Sequence, residues 1–144
     1  MAFTGNFMCT SFKVEILKAV HNFTLSTGNT FNIAMYTNSA SFTAATTAYT
    51  SGNEVTGTGY TAKGYALTNV TPVSTSTTAF TDFGDATWSS STITARGAMI
   101  FNDTAAGDPS VVILDFGSDK SSSSGDFTIV FPTGDSTSAI IRIA

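Results

Sequence analysis

The chain has a single cysteine, Cys9, in 144 residues. An internal disulfide is therefore excluded, and folding in a reducing compartment is expected. There is one histidine, His21, and there are two glutamates, Glu15 and Glu54. A zinc site or a histidine-based nucleophile relay needs partners that this inventory does not cluster. A carboxylate acid–base pair would have to draw on aspartates meeting in a cleft. No stretch approaches the roughly 20 apolar residues of a membrane-spanning helix. The start, MAFTGNFMCTSFK, lacks the basic-then-apolar pattern of a secretory signal peptide. Charge is scarce as well, at 11% of residues, against about 25% in ordinary soluble domains. The net charge is −4, and Lys13, Lys18, Lys63, Arg96, Lys120 and Arg142 are scattered. Contact with nucleic acid or with an anionic membrane is not expected.

Hydrophobic residues make up 42% of the chain, so the missing charge does not signal disorder. Ser and Thr fill the gap, at roughly three residues in ten. Hydroxyls cost less to desolvate than Lys or Glu when another protein covers them. Such a surface suits either a covered face or a β-rich domain of extracellular type.

The chain length is that of one domain, and no linker or internal repeat divides it. Residues 1–10, with Phe3, Phe7 and Met8, are apolar but aperiodic and read as an extended arm. From Ser11 to Phe23 the stripe Phe12, Ile16, Val20, Phe23, widened by Leu17 and Ala19, predicts an amphipathic helix. Thr10 or Ser11 would cap it, and Ser26-Thr27-Gly28-Asn29 would end the segment. Period-two alternation then begins at Thr30–Thr37. Residues 38–63 read as a long excursion with a short strand near Glu54 and Val55. Further strands are predicted at 64–70, 77–83, 87–94, 96–102, 110–116, 126–131 and 139–144. Short strands at this spacing, with no intervening helices, predict a mainly β fold: an antiparallel two-sheet β-sandwich, jelly-roll-like, over residues 30–144. The last strand is apolar on both faces apart from Arg142, which predicts a central or covered position.

The motifs read as structural. Asp82-Phe83-Gly84 and Asp115-Phe116-Gly117 match a kinase triplet, but the glycine-rich loop, strand lysine and catalytic loop that accompany it are missing. Each is expected to end a strand. Gly57-Thr58-Gly59-Tyr60-Thr61-Ala62-Lys63-Gly64 lacks the ending of a phosphate loop and precedes no helix. Asp115, Asp119 and Asp126 around Ser121–Ser124 match no calcium loop, and a solvated hairpin tip is expected there. Sequons at Asn22, Asn69 and Asn102 are products of a Thr-rich composition. Tyr36, Tyr49, Tyr60, Tyr65 and Trp88 are read as core or subunit contacts, with a sugar-stacking platform as the alternative.

Four stretches carry a family resemblance: Cys9–Leu17 (CTSFKVEIL), Phe31–Thr37 (FNIAMYT), Thr87–Ala98 (TWSSSTITARGA) and Val112–Lys120 (VILDFGSDK). Together they resemble small virion proteins of tailed bacteriophages, including cyanophages. The resemblance implies a particle component made in a bacterial cytoplasm and carries over no catalytic, cofactor-binding or metal-binding residue. The expectation is a non-enzymatic capsid decoration, or cement, protein without cofactor or small-molecule substrate. It would bind the major capsid protein on the outside of the head. A tail-fibre or spike module binding a host glycan is the alternative. A homotrimer is expected from the norm of closed cyclic symmetry. Phe3 and Phe7 in the arm, and Tyr49 and Tyr60 in the excursion, are the candidate interface residues.

Overall fold

The computed structural model describes residues 3–144. It is mainly β, with two antiparallel sheets and one short helix, consistent with a β-sandwich. Eight strands flank the helix α1 (Thr10–Leu17): β1 (Phe7–Met8), β2 (Phe31–Tyr36), β3 (Tyr65–Ala66), β4 (Asn69–Thr75), β5 (Thr78–Phe83), β6 (Ala86–Asn102), β7 (Ser110–Ile129) and β8 (Ile141–Ile143). The larger sheet has the order β1-β7-β6-β2-β3 and the smaller β4-β5-β8.

The sheet is organised by one long hairpin. β6 runs for 17 residues and β7 for 20. The predicted breaks at 95 and between 116 and 126 are not strand ends. Residues 116–119 of β7 instead bulge opposite the single residue Arg96, with Ala95 paired to Lys120 and Gly97 to Asp115. A bulge mimics a turn in sequence because it too uses glycine and small polar residues. Ser121–Ser124 is therefore not a hairpin tip. Its hydroxyls meet hydroxyls across the ladder, Ser121 with Thr94 and Ser122 with Ser91, both at 2.7 Å. The first Asp-Phe-Gly triplet does end a strand, with Phe83 buried. The second forms the bulge.

The helix starts where expected but stops at Leu17, short of Phe23. Neither Thr10 nor Ser11 caps it; Cys9 holds that position without a side-chain bond. Its end is a Schellman motif: Val20 N–H donates to the Glu15 carbonyl at 3.0 Å and Ala19 N–H to that of Ile16 at 3.2 Å. Ala19 takes the left-handed conformation, φ 57°, that glycine usually fills. Only Phe12 of the helix is fully buried, and Leu17 is 87% exposed.

The arm belongs to the fold. Phe3 is buried and packs edge-on against Phe42, and β1 pairs with β7 through Phe7 opposite Ile113. Residues 1 and 2 of the expected arm lie outside the described residues. Phe31, Ile33 and Met35 from β2, Met99 and Phe101 from β6, and Val111 and Ile113 from β7 are fully buried. Phe83 joins the two sheets, touching Phe23, Phe31 and Phe131. The expected covered position for the last strand is not found. β8 is a three-residue edge strand bonded only to β5, and Ile143 is 54% exposed. Of its three residues only Ile141 is buried.

Candidate functional site

Each of the two glutamates belongs to a polar constellation. Glu54 lies in the excursion, at a single bridge to Tyr36 where a short strand was expected. Its carboxylate accepts the Tyr49 hydroxyl at 2.6 Å, the Tyr60 hydroxyl at 2.8 Å and the Lys63 backbone N–H at 2.8 Å. Tyr60 accepts in turn from the Met35 N–H at 2.9 Å and stacks on Trp88. The Lys63 ammonium lies 2.8 Å from both Asp103 and Asp108, above the rings of Tyr49 and Phe101. Burial, then the Glu54 carboxylate, pushes the Tyr49 hydroxyl up to about 12. Burial also raises Tyr36 and Tyr60. The Gly57–Gly64 segment closes this tie by backbone approach. A Cβ on Gly64, which has φ +71°, would sit 1.9 Å from the Ile33 carbonyl oxygen. The glycines that resemble a phosphate loop thus serve packing.

The second constellation is a row. Glu15 Oε2 lies 2.9 Å from His21 Nε2, and His21 Nδ1 lies 3.1 Å from Asn102 Nδ2. Asn102 Oδ1 accepts the N–H groups of Thr104 and Ala105, which orients the amide. Nδ2 therefore faces the imidazole as a donor, and Nε2 carries the hydrogen given to Glu15. Both ring nitrogens are thus occupied, and neither is left to take a proton from a nucleophile. Cys9 is buried, and burial pushes its thiol up. The row holds the 18–30 connection against β6. Asn69 and Asn102, two of the three sequon asparagines, are themselves buried ties: the Asn69 amide donates to the Asn29 carbonyl at 2.9 Å.

A third place is open. The smaller sheet cannot cover the whole face of the larger one, and a groove of about 910 Å³ remains between β1, β7 and the segment 130–142. Phe7, Phe116, Phe127, Ile129 and Ile140 line it, together with Lys120 of β7 and Arg142 of β8.

The four expected interface residues fall in different settings. Phe3 is buried within the chain, Phe7 is half-buried at the groove, and Tyr49 and Tyr60 are half-buried partners of Glu54. Among the aromatics weighed as a sugar platform, Tyr36 and Trp88 are buried and Tyr65 is 38% exposed. Among the described residues, no three His, Cys, Asp or Glu side chains are placed to hold a metal ion, and no helix is long and apolar enough to cross a membrane. The chain matches no family model, no curated protein and no solved structure.

Proposed function

We propose that this chain is a non-enzymatic structural protein of a tailed-phage particle. In this reading it is a capsid decoration protein that binds the major capsid protein on the outer head surface as a homotrimer and stabilises the shell. The observation that carries the reading is the kind of surface the fold leaves outside. Leu17 is 87% exposed, Val130 72%, and Val73 and Ile143 more than half, on a chain that is only 11% charged. Both polar constellations are spent inside the fold. Scattered apolar and hydroxyl side chains with little charge suit burial against other proteins.

The strand edges support a closed assembly over an open-ended one. β4 carries Pro72 and a register shift between Val70 and Val73. β7, free along the stretch that the two-residue β1 does not reach, carries its bulge and Lys120. Such features oppose edge-to-edge strand pairing along β4 and β7, and the edges of β3 and β8 are only two and three residues long, which favours the faces as the contact surfaces.

A protein that binds only the assembled shell opposes disassembly by RT ln(1 + [L]/Kd), about 4 kcal/mol at a thousandfold excess over Kd. The test is to prepare particles lacking this protein and to heat them or lower the ionic strength. Premature release of DNA is expected. Particles that keep their DNA but fail to adsorb to host cells would replace this reading with a tail-fibre module binding a host glycan.

A further inference from the structure

We propose that the groove between β7 and the C-terminal segment docks an extended segment of a partner protein, one in which large apolar side chains stand next to carboxylates. The groove's volume, about 910 Å³, lies in the range of roughly 300–1,000 Å³ typical of binding clefts. Its floor is the part of the larger sheet that three strands cannot cover, and Phe116, Phe127 and Ile129 face into it. One wall is already an extended segment, because β1 lies antiparallel along β7 with Met8 opposite Val112. The bulge at 116–119 interrupts the free edge beyond it. The docked segment is therefore held by its side chains more than by a long strand ladder.

The charges select the partner. Four charged side chains line the groove. Asp115 is paired with Arg96 at 3.2 Å. Asp126 accepts the Ser90 N–H of β6 at 3.2 Å and keeps its charge. Lys120 and Arg142 remain, one from β7 and one from β8. Among the described residues neither has a carboxylate within ion-pair distance; Arg142 donates only to the Thr137 carbonyl. Two cations without a carboxylate partner against the single uncompensated Asp126 leave the apolar groove with a positive excess, on a chain of net charge −4, which complements an acidic–apolar segment and disfavours a basic one. The inference rests on the shell-binding reading only for the source of that segment.

The test is to select peptides from a random display library on the whole chain, then to synthesise the enriched ones and measure their affinity by fluorescence anisotropy. Enriched peptides are expected to combine Asp or Glu with large apolar residues. Charge reversal in K120E/R142E is expected to weaken them at least tenfold, and added salt to weaken them further. The control K13E/K18E, which reverses cations on α1 and at its end, should leave affinity within twofold. All four side chains are exposed, so folding is retained, as circular dichroism would check. Enrichment without acidic residues would overturn the proposal. So would equal effects of the two double variants. So would self-association or glycan binding that K120E/R142E abolishes while no peptide binds. If peptides bind as expected yet depleted particles keep their DNA, the groove assignment stands and the shell reading falls. If no peptide binds and depleted particles leak, only the groove assignment falls.

Discussion

The ring of Phe3 lies where a side chain on Gly97 would be: a Cβ there would come within 2.4 Å of the Phe3 Cε1 and 2.5 Å of the Leu114 carbonyl oxygen. The arm is thus seated on the central strand through one missing methyl group. Gly97→Ala should cost about 1–3 kcal/mol by overpacking. Phe3→Ala should cost about 3–5 kcal/mol by leaving a cavity. Urea denaturation of both variants checks this, and the double variant should cost less than the sum because the two sites touch.

Glu54 should govern the excursion. Glu54→Ala removes the acceptor of two phenols and one backbone N–H, a loss of about 2–4 kcal/mol. Hydrogen exchange should rise first over residues 37–64. Alkali should act at the same place. The folded Tyr49 hydroxyl is raised to about 12, above its unfolded value of about 10. Its contribution is therefore full below about pH 10 and is lost as pH rises through about 12. Phenolate absorbance that tracks loss of the excursion's protection over that window would bear this out.

Acid should act at the bulge. The Gly117 N–H, with the Arg96 charge adding, holds the Asp115 carboxyl below the usual carboxylate range. A depressed carboxylate stabilises the fold above about pH 4, and that contribution is lost as pH falls through the folded value. Asp115→Asn should lower stability at neutral pH by about 1–2 kcal/mol, because a neutral amide removes the negative charge that faces the buried Arg96 guanidinium. It should also flatten the acid limb of the stability profile. An unchanged acid limb in denaturant titrations would place the acid sensitivity elsewhere.

Ala19→Gly should stabilise the protein by roughly 0.5–1 kcal/mol, since the left-handed conformation at the helix end strains any residue with a Cβ. The thermal midpoint should rise by a few degrees.

Asn102→Asp should destabilise by about 1–3 kcal/mol. The new oxygen cannot donate to His21 Nδ1 or to Asn29 Oδ1, which lies 3.0 Å away. Asn102→Ser should not rescue it, because its reach is shorter. Thermal denaturation of both variants measures the difference.

Local pattern determined much of this fold. Period two marked Phe31–Tyr36 as a strand, the Phe12 stripe placed the start of the helix, and the absence of further helices excluded a parallel sheet. Each of these is a property of residues within one element, where alternation or the spacing of apolar side chains decides which face is buried. Tertiary structure decided the rest. Gly117 and Ser121–Ser124 read as turns, yet they lie inside β7 because β6 offers them a partner strand with matching hydroxyls. The helix stopped at Leu17 and the chain turned at Ala19 without a glycine to announce it, since backbone bonds to Glu15 and Ile16 outweigh the strain. The Glu15–His21–Asn102 row joins residues 81 positions apart. The groove exists because a five-stranded sheet is faced by a three-stranded one. Register, bulges and uncovered surface depend on which distant segments meet, and no local periodicity encodes that choice.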